Sequence, residues 1–168
     1  MMLEIALEAD SEWDSSTDWE RLAEGAARAA IAESRFPGLA VLERPVELSV
    51  RLTGDDEVRA LNADWRGKDK ATNVLSFPLA EEKDLLSAAD DGPEPMLGDI
   101  VLAAGVCRAE AVDKAIPLAD HAAHLLVHGT LHLLGYDHGE EHEAEDMEAR
   151  EVRALARLGI ADPYAEAA

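Results

Sequence analysis

Apolar and polar residues alternate along two segments of the chain, as they do in strands with one buried face. Residues 3–8 (LEIALE) and 46–52 (VELSVRL) follow this period of two. Two short apolar runs, at residues 73–77 (NVLSF, followed by Pro78) and 99–103 (DIVLA), have the length and composition of further strands. The chain is therefore predicted to contain four strands.

Apolar residues spaced three and four apart predict helices between and after these strands. The predicted helices cover approximately residues 19–34, 55–65, 104–114, 118–134 and 141–158. We expect Asp18 or a neighbouring serine or threonine to cap the first helix, Thr53 or Asp55 to cap the second, and Pro117 to open the fourth. Strands interleaved with helices, without repeats or linkers, predict one α+β domain over residues 1–168, with a mixed four-stranded sheet packed with about five helices.

Three segments between these elements are predicted as turns or loops. Pro37-Gly38 is expected to end the first helix, and residues 66–70 (RGKDK) to form a cationic loop. Residues 79–97 are acidic and include Asp-Asp-Gly-Pro, so we expect a mobile tether without a function of its own.

Composition narrows the functional classes. The formal net charge of -21 argues against non-specific binding of nucleic acid, because phosphate contacts need lysine and arginine. The charge is uneven, however, and a strip of Arg59, Arg66, Lys68 and Lys70 could confine a polyanion to one place. No apolar run reaches the roughly 20 residues of a membrane span and no signal peptide is recognisable, so we expect a cytoplasmic protein without membrane contact. Cys107 is the one cysteine, which excludes an intrachain disulfide and a cysteine-based zinc site.

Three histidines stand at the spacing H-x3-H-x5-H. His128 and His132 lie one turn apart on the same face of the predicted helix, so their imidazoles can converge on one ion. Gly135 stands where a glycine lets the chain leave a helix in a left-handed conformation, which could return His138 to the same point. Three neutral imidazoles and an open position are typical of a catalytic zinc site. The pattern predicts a metal-dependent hydrolase.

The same spacing occurs in the zinc protease pattern H-E-x-x-H-x-x-G-x-x-H. Those proteases keep a glutamate general base directly after the first histidine, where this chain has Gly129. The metal site therefore fits while protease chemistry lacks its base.

The neighbouring polar residues are predicted to play smaller parts. We expect His124 to be packed or to lie behind the ligands, and His121 and His142 to be solvated. Asp137 could orient a ligand histidine by accepting its ring N–H, or it could cap the turn after the glycine. Tyr136 is predicted to pack.

Three sequence blocks together resemble the YbeY family of bacterial endoribonucleases. They are residues 61–78 (LNADWRGKDKATNVLSFP), 97–101 (LGDIV) and 127–138 (VHGTLHLLGYDH). The blocks occur in the family's order, and the resemblance extends over nearly the whole chain. The chain differs from the residues usual in the family at Trp65, Ala71 and Asn73.

This resemblance implies one Zn²⁺ ion per chain on His128, His132 and His138, with Arg66 as an essential catalytic residue. The implied activity is cleavage of single-stranded RNA in maturation of the 3′ end of 16S ribosomal RNA and in ribosome quality control. Small-subunit ribosomal RNA, small-subunit ribosomal proteins and ribosome-associated GTPases are the implied partners.

The charged residues suggest how such a site would hold RNA. The guanidinium of Arg66 suits the charge that develops on non-bridging phosphate oxygens, and Lys68 and Lys70 could hold flanking phosphates. The nucleophile is either a water activated by the metal or the 2′-hydroxyl of the substrate. Two other functions stay open: a zinc hydrolase with a metalloprotease-like site, and a ribosome assembly factor with structural zinc.

Overall fold

The computed structural model describes residues 2–36, 38–39, 45–86 and 94–165. Its strands are β1 (Met2–Ala9), β2 (Pro45–Thr53), β3 (Val74–Pro78) and β4 (Met96–Ala103). Its helices are α1 (Trp19–Ala32), α2 (Asp55–Arg66), α3 (Glu82–Leu86), α4 (Ala104–Lys114), α5 (Leu118–Leu133) and α6 (Glu141–Arg157). Within these ranges, no helix has the length and apolar character that crossing a membrane requires.

The four strands form one sheet in the order β1-β2-β4-β3. β2 is parallel to both of its neighbours, whereas β3 pairs antiparallel to β4 along the edge. The prediction of an α+β fold with a mixed four-stranded sheet is therefore confirmed. The described part of the chain has six helices rather than about five, because α3 lies in the segment that was expected to be a loop.

Alternating residues of β2 place apolar side chains on one face of the sheet. These side chains belong to the larger apolar cluster: Val46, Leu48, Val50 and Leu52. Helix α5 packs on this core and contacts β3 and β4 as well as α1, α4 and α6. Gly129 permits the close approach, because a Cβ atom at this position would lie 3.0 Å from Ile100 Cδ1 on β4. The histidine helix is thus held at the centre of the fold.

The helix ends follow the predictions in part. The Asp18 side chain accepts a hydrogen bond from the Arg21 N–H and caps α1, as predicted. At α2 the prediction was wrong, because Gly54 is the N-cap residue and contributes no side chain. The Asp55 carboxylate instead accepts the backbone N–H groups of Gly105 and Val106, at 2.9 and 3.1 Å, and so caps α4.

The predicted loops also need correction. Arg66 is the last residue of α2, and the chain turns at Gly67, which has a left-handed φ of 69°. The acidic loop expected over residues 79–97 contains α3 and the first residues of β4, while residues 87–93 lie outside the described residues. Helix α1 ends at Ala32, and the expected breaker Pro37 also lies outside the described residues.

Candidate metal centre

His128 and His132 face each other across one turn of α5. Their Nε2 atoms lie 3.0 Å apart, and their ring centroids are separated by 4.5 Å. Both side chains are half-buried, whereas the helix residues on either side of them are buried in the core. The predicted convergence of the two imidazoles is confirmed.

His138 joins this pair because the chain reverses after α5. Gly135 has a left-handed φ of 97°, and the Tyr136 N–H donates to the Leu131 carbonyl at 3.0 Å. The His138 ring centroid then lies 5.5 Å from that of His128 and 5.1 Å from that of His132. One nitrogen of each of the three rings lies within 4.8 Å of the other two.

The other ring nitrogens are fixed by acceptors behind the site. Nδ1 of His132 contacts the Tyr136 carbonyl oxygen at 2.8 Å, and Nδ1 of His128 is in close contact with the Glu151 carboxylate. A carbonyl or carboxylate oxygen can only accept, so each Nδ1 carries the hydrogen. Both Nε2 atoms therefore present lone pairs to the same space, which is the form of histidine that binds metals.

Electrostatics keeps the His132 imidazole neutral and the Glu151 carboxylate ionised. Burial lowers the pKa of His132 to about 4, assisted by the neighbouring imidazoles of His128 and His138. Burial by itself would raise the pKa of Glu151, but the nearby His124 imidazole and the hydrogen bonds from His128 and Tyr164 together outweigh it and lower that pKa to about 2. At neutral pH the site therefore combines a neutral imidazole at His132 with a buried carboxylate anion behind His128.

The three imidazoles fit a metal ion. A tetrahedral ion with bonds of about 2.0–2.1 Å to nitrogen separates its ligands by roughly 3.3 Å, close to the 3.0 Å between the Nε2 atoms of His128 and His132. Zinc suits this donor set, and so do nickel, copper and iron. A second group of three possible ligands, Glu140, His142 and Glu143, is exposed to solvent at the start of α6.

The histidines line a polar cavity of about 510 Å³ that also contains Arg66. The remaining lining residues come from β3, the loop before it and the turn after α5: Thr72, Asn73, Val74, Ser76, Gly135, Tyr136 and Asp137. Arg66 is exposed at the C-terminal end of α2, where the helix dipole favours a positive charge. The sequence prediction that Arg66 shares a site with the three histidines agrees with this arrangement.

Lys68 and Lys70 lie outside the lining of this cavity. Both are exposed on the turn that follows α2. Two residues of α2 hold this turn in place. The Asn62 side chain donates to the Lys70 carbonyl at 2.9 Å, and Arg59 forms an ion pair with Asp69 at 2.8 Å. The two lysines are therefore placed to meet parts of a ligand that extend beyond the cavity.

Asp137 and Tyr136 occupy the turn between α5 and α6. The Asp137 side chain is exposed and accepts the backbone N–H of His138 at 2.7 Å, which is the turn role among the two roles predicted for it. Tyr136 is buried, as predicted, and its hydroxyl accepts the Arg35 N–H at 2.8 Å.

The sequence did not identify the groups that support the ligands. Glu151, which no prediction mentioned, is fully buried on the apolar face of α6 beside Met147, Ala154 and Leu155. A charged residue at an apolar position of the helical period was the signal that could have identified it. His121, expected to be solvated, is buried and contacts the Glu110 carboxylate at 2.9 Å.

A larger depression of about 740 Å³ lies on the opposite face of the sheet, beside Trp65 and Phe77. Neighbouring strand residues point to opposite faces, so Phe77 faces this depression while Ser76 faces the histidines. No histidine lines this depression.

A family model described as Endoribonuclease YbeY matches residues 6–159. The chain belongs to the YbeY family. A relative from Rhizorhabdus wittichii named Endoribonuclease YbeY is 54% identical over 166 residues, with 98% of each chain covered. Another of the same name, from Sphingopyxis alaskensis, is 52% identical and covers 98% of this chain and 99% of its own.

The YbeY family membership agrees with the fold. The solution structure of a protein from Thermotoga maritima matches with a TM-score of 0.54 over 98% of this chain and 100% of its own. At 23% sequence identity, that similarity establishes the shared architecture alone. Every motif that carried the resemblance lies within the residues matched to the YbeY family, including the three histidines and Arg66.

Proposed function

We propose that the chain is a zinc-dependent endoribonuclease that cleaves single-stranded RNA in the cavity between Arg66 and the three histidines. The observation that carries this proposal is the convergence of His128, His132, His138 and Arg66 on one polar cavity. Relatives that are more than half identical and cover almost the whole chain are named endoribonucleases, which supports the same activity here.

The chemistry divides between the ion and the arginine. When bound by the three histidines, Zn²⁺ would supply a Lewis acid able to polarise a water molecule or a phosphate oxygen. The Arg66 guanidinium would bind two non-bridging oxygens of the scissile phosphate as their negative charge grows in the transition state. Lys68 and Lys70 would hold phosphates on the flanking nucleotides, because they lie beyond the cavity.

Two nucleophiles are compatible with this arrangement. Direct attack by water leaves a 5′-phosphate or 3′-phosphate end, whereas attack by the 2′-hydroxyl leaves a 2′,3′-cyclic phosphate. Thr72 and Ser76 place hydroxyl groups in the cavity lining, where either can hydrogen-bond a ribose. Analysis of the product ends by mass spectrometry separates the two routes.

We further propose that the target is the 3′ end of 16S ribosomal RNA in the cytoplasm, with a role in ribosome quality control. The net charge of -21 disfavours general RNA binding and favours partners with basic surfaces. Small-subunit ribosomal proteins have such surfaces, and ribosome-associated GTPases could accompany them on the same particle.

The alternative of a peptidase is opposed by the packing of α5. The position of the protease general base is Gly129, which is buried, and a Cβ atom there would lie 3.0 Å from Ile100, so any side chain would require that neighbour to shift. The alternative of an assembly factor with structural zinc predicts that loss of the ion unfolds the chain and that Arg66 is dispensable.

The test uses the full chain loaded with one equivalent of Zn²⁺ and synthetic single-stranded and duplex RNA. We expect cleavage of the single strand, loss of at least about 100-fold in rate for Arg66→Ala, and unchanged zinc content in that variant. Arg21→Ala, which removes an exposed arginine on α1, is the matched control. Zinc binding without RNA cleavage by the wild type, or cleavage that is insensitive to Arg66→Ala, would overturn the proposal.

A further inference from the structure

Glu151 is a carboxylate without exposure to solvent in the middle of α6. Burying an isolated charge is costly unless other groups compensate for it. Within the described ranges, no lysine or arginine forms an ion pair with Glu151, and the ring nitrogens that approach its carboxylate belong to His124 and His128. The negative charge of Glu151 therefore lies next to the His124 and His128 imidazoles.

The two carboxylate oxygens of Glu151 have different partners. Oε1 is in close contact with Nδ1 of His128, while Oε2 accepts the Tyr164 hydroxyl at 2.5 Å. The Tyr164 oxygen also lies 3.2 Å from Nε2 of His124, which can donate to it. A chain of hydrogen bonds thus extends from His124 through Tyr164 and Glu151 to the far side of the His128 ring.

The segment after α6 brings Tyr164 next to His124 and Glu151. The chain reverses at Gly159, which has a left-handed φ of 75°, and the Ile160 N–H donates back to the Leu155 carbonyl at 2.9 Å. Asp162 accepts the Tyr164 N–H at 2.8 Å, and the Tyr164 ring meets His124 edge to face at 5.4 Å. The tyrosine is thereby held against α5 and α6 although the residue as a whole is 44% exposed.

We propose that Glu151 and Tyr164 are positioning residues that hold His128 as the Nδ1–H tautomer, with its Nε2 lone pair aimed at the metal site. Glu151 would hold the ring directly, and Tyr164 would act through Glu151 by fixing the orientation of its carboxylate. The inference rests on the proposed function in that it takes the three histidines as the metal ligands. It adds that the C-terminal segment contributes to metal affinity.

Geometry gives the expected order of effects. Acceptors behind a ligand histidine typically change metal affinity by about 10–100-fold. Glu151→Gln keeps the shape and removes the anion, so it should weaken Zn²⁺ binding within that range. Tyr164→Phe removes one hydrogen bond to the same carboxylate and should weaken binding less, by roughly 3–10-fold. Because Tyr164 acts through Glu151, the double variant should lose no more affinity than Glu151→Gln alone.

The first measurement is the Zn²⁺ dissociation constant of the full chain, by competition with a chromophoric chelator. The control is Glu145→Gln, which removes an exposed carboxylate from the same helix and should leave the constant unchanged. Circular dichroism checks that each variant is folded. If Glu151→Gln fails to fold, Tyr164→Phe against the wild type decides the outcome.

The second measurement is the ¹⁵N chemical shift of the His128 ring nitrogens in metal-free protein. The wild type should show a protonated Nδ1 and an unprotonated Nε2, and Glu151→Gln should mix the two tautomers. Three results would each overturn the inference. They are a loss of zinc affinity in the double variant equal to the sum of the two single losses, an unchanged zinc affinity in Glu151→Gln, and a His128 ring protonated at Nε2 in the wild type. The tautomer is read without metal, so it decides the positioning role even if the chain binds no zinc and the proposed function fails.

Discussion

The Nε2 atoms of His128 and His132 lie 3.0 Å apart. Each ring donates its Nδ1 hydrogen to another acceptor, so neither Nε2 atom carries a hydrogen and each has a free lone pair. Two lone pairs at this distance repel each other in an empty site and attract a cation placed between them. The fold of α5 therefore holds the pair in an arrangement that metal binding would stabilise.

Zn²⁺ should raise the free energy of unfolding of the wild type by about 2.7 kcal/mol at a concentration 100 times its dissociation constant. His138→Ala should lose most of this gain, since removing a ligand costs more than the roughly 10–100-fold that a supporting group costs. Glu145→Ala, at an exposed position of α6 outside both groups of possible ligands, is the control. Calorimetric unfolding with and without zinc measures the effect, and equal stabilisation of both variants would remove His138 from the site.

The stability of the metal-free protein should fall as the pH drops from about 6.5 to about 4. Burial lowers the pKa of His132 to about 4, whereas an unfolded histidine titrates near 6.5. In this window the unfolded state binds the additional proton, so acid favours unfolding by up to about 1.4 kcal/mol per pH unit. Urea unfolding in a chelator should show a smaller slope for His132→Gln than for the exposed control His142→Gln. Identical slopes would contradict a lowered pKa at His132.

Gly129→Glu should destabilise the chain without creating a peptidase. The new side chain would start 3.0 Å from Ile100 Cδ1 in a buried position, and both overpacking and a buried charge oppose it. We expect a loss of about 3 kcal/mol or more in the free energy of unfolding. Gly38→Glu adds the same charge at an exposed glycine and should be nearly neutral, since no atom of the described residues lies within 4 Å of its Cβ position. Hydrolysis of a casein substrate by a folded Gly129→Glu protein would refute this interpretation.

Asp55→Ala should cost more stability than Asp56→Ala. Both residues lie in the first turn of α2, so their interactions with its dipole are similar. Asp55 alone accepts the N–H groups of Gly105 and Val106 that begin α4, and removing such a cap costs about 1 kcal/mol. Chemical denaturation of the two variants measures the difference, which should vanish if the cap is unimportant.

Local sequence determined the secondary structure well where a period or a turn residue was strong. The alternation in β2 and the helical period of α5 predicted both elements to within a residue at each end. The cap of α2 was mispredicted because the Asp55 side chain lies near the N-terminal ends of both α2 and α4. Only the packing of α4 beside α2 decides which of the two helices it caps.

The identity and spacing of the three histidines, Arg66 and the turn glycine follow from the sequence, because helix geometry converts a spacing of four residues into a shared face. Tertiary structure alone decides which residues contact the ligand histidines on the side away from the metal site. Glu151 is 23 residues from His128 and Tyr164 is 40 residues from His124, separations over which no local period relates one residue to another. Their contacts exist because α6 packs on α5 and the chain then reverses, and burial gives those hydrogen bonds their strength.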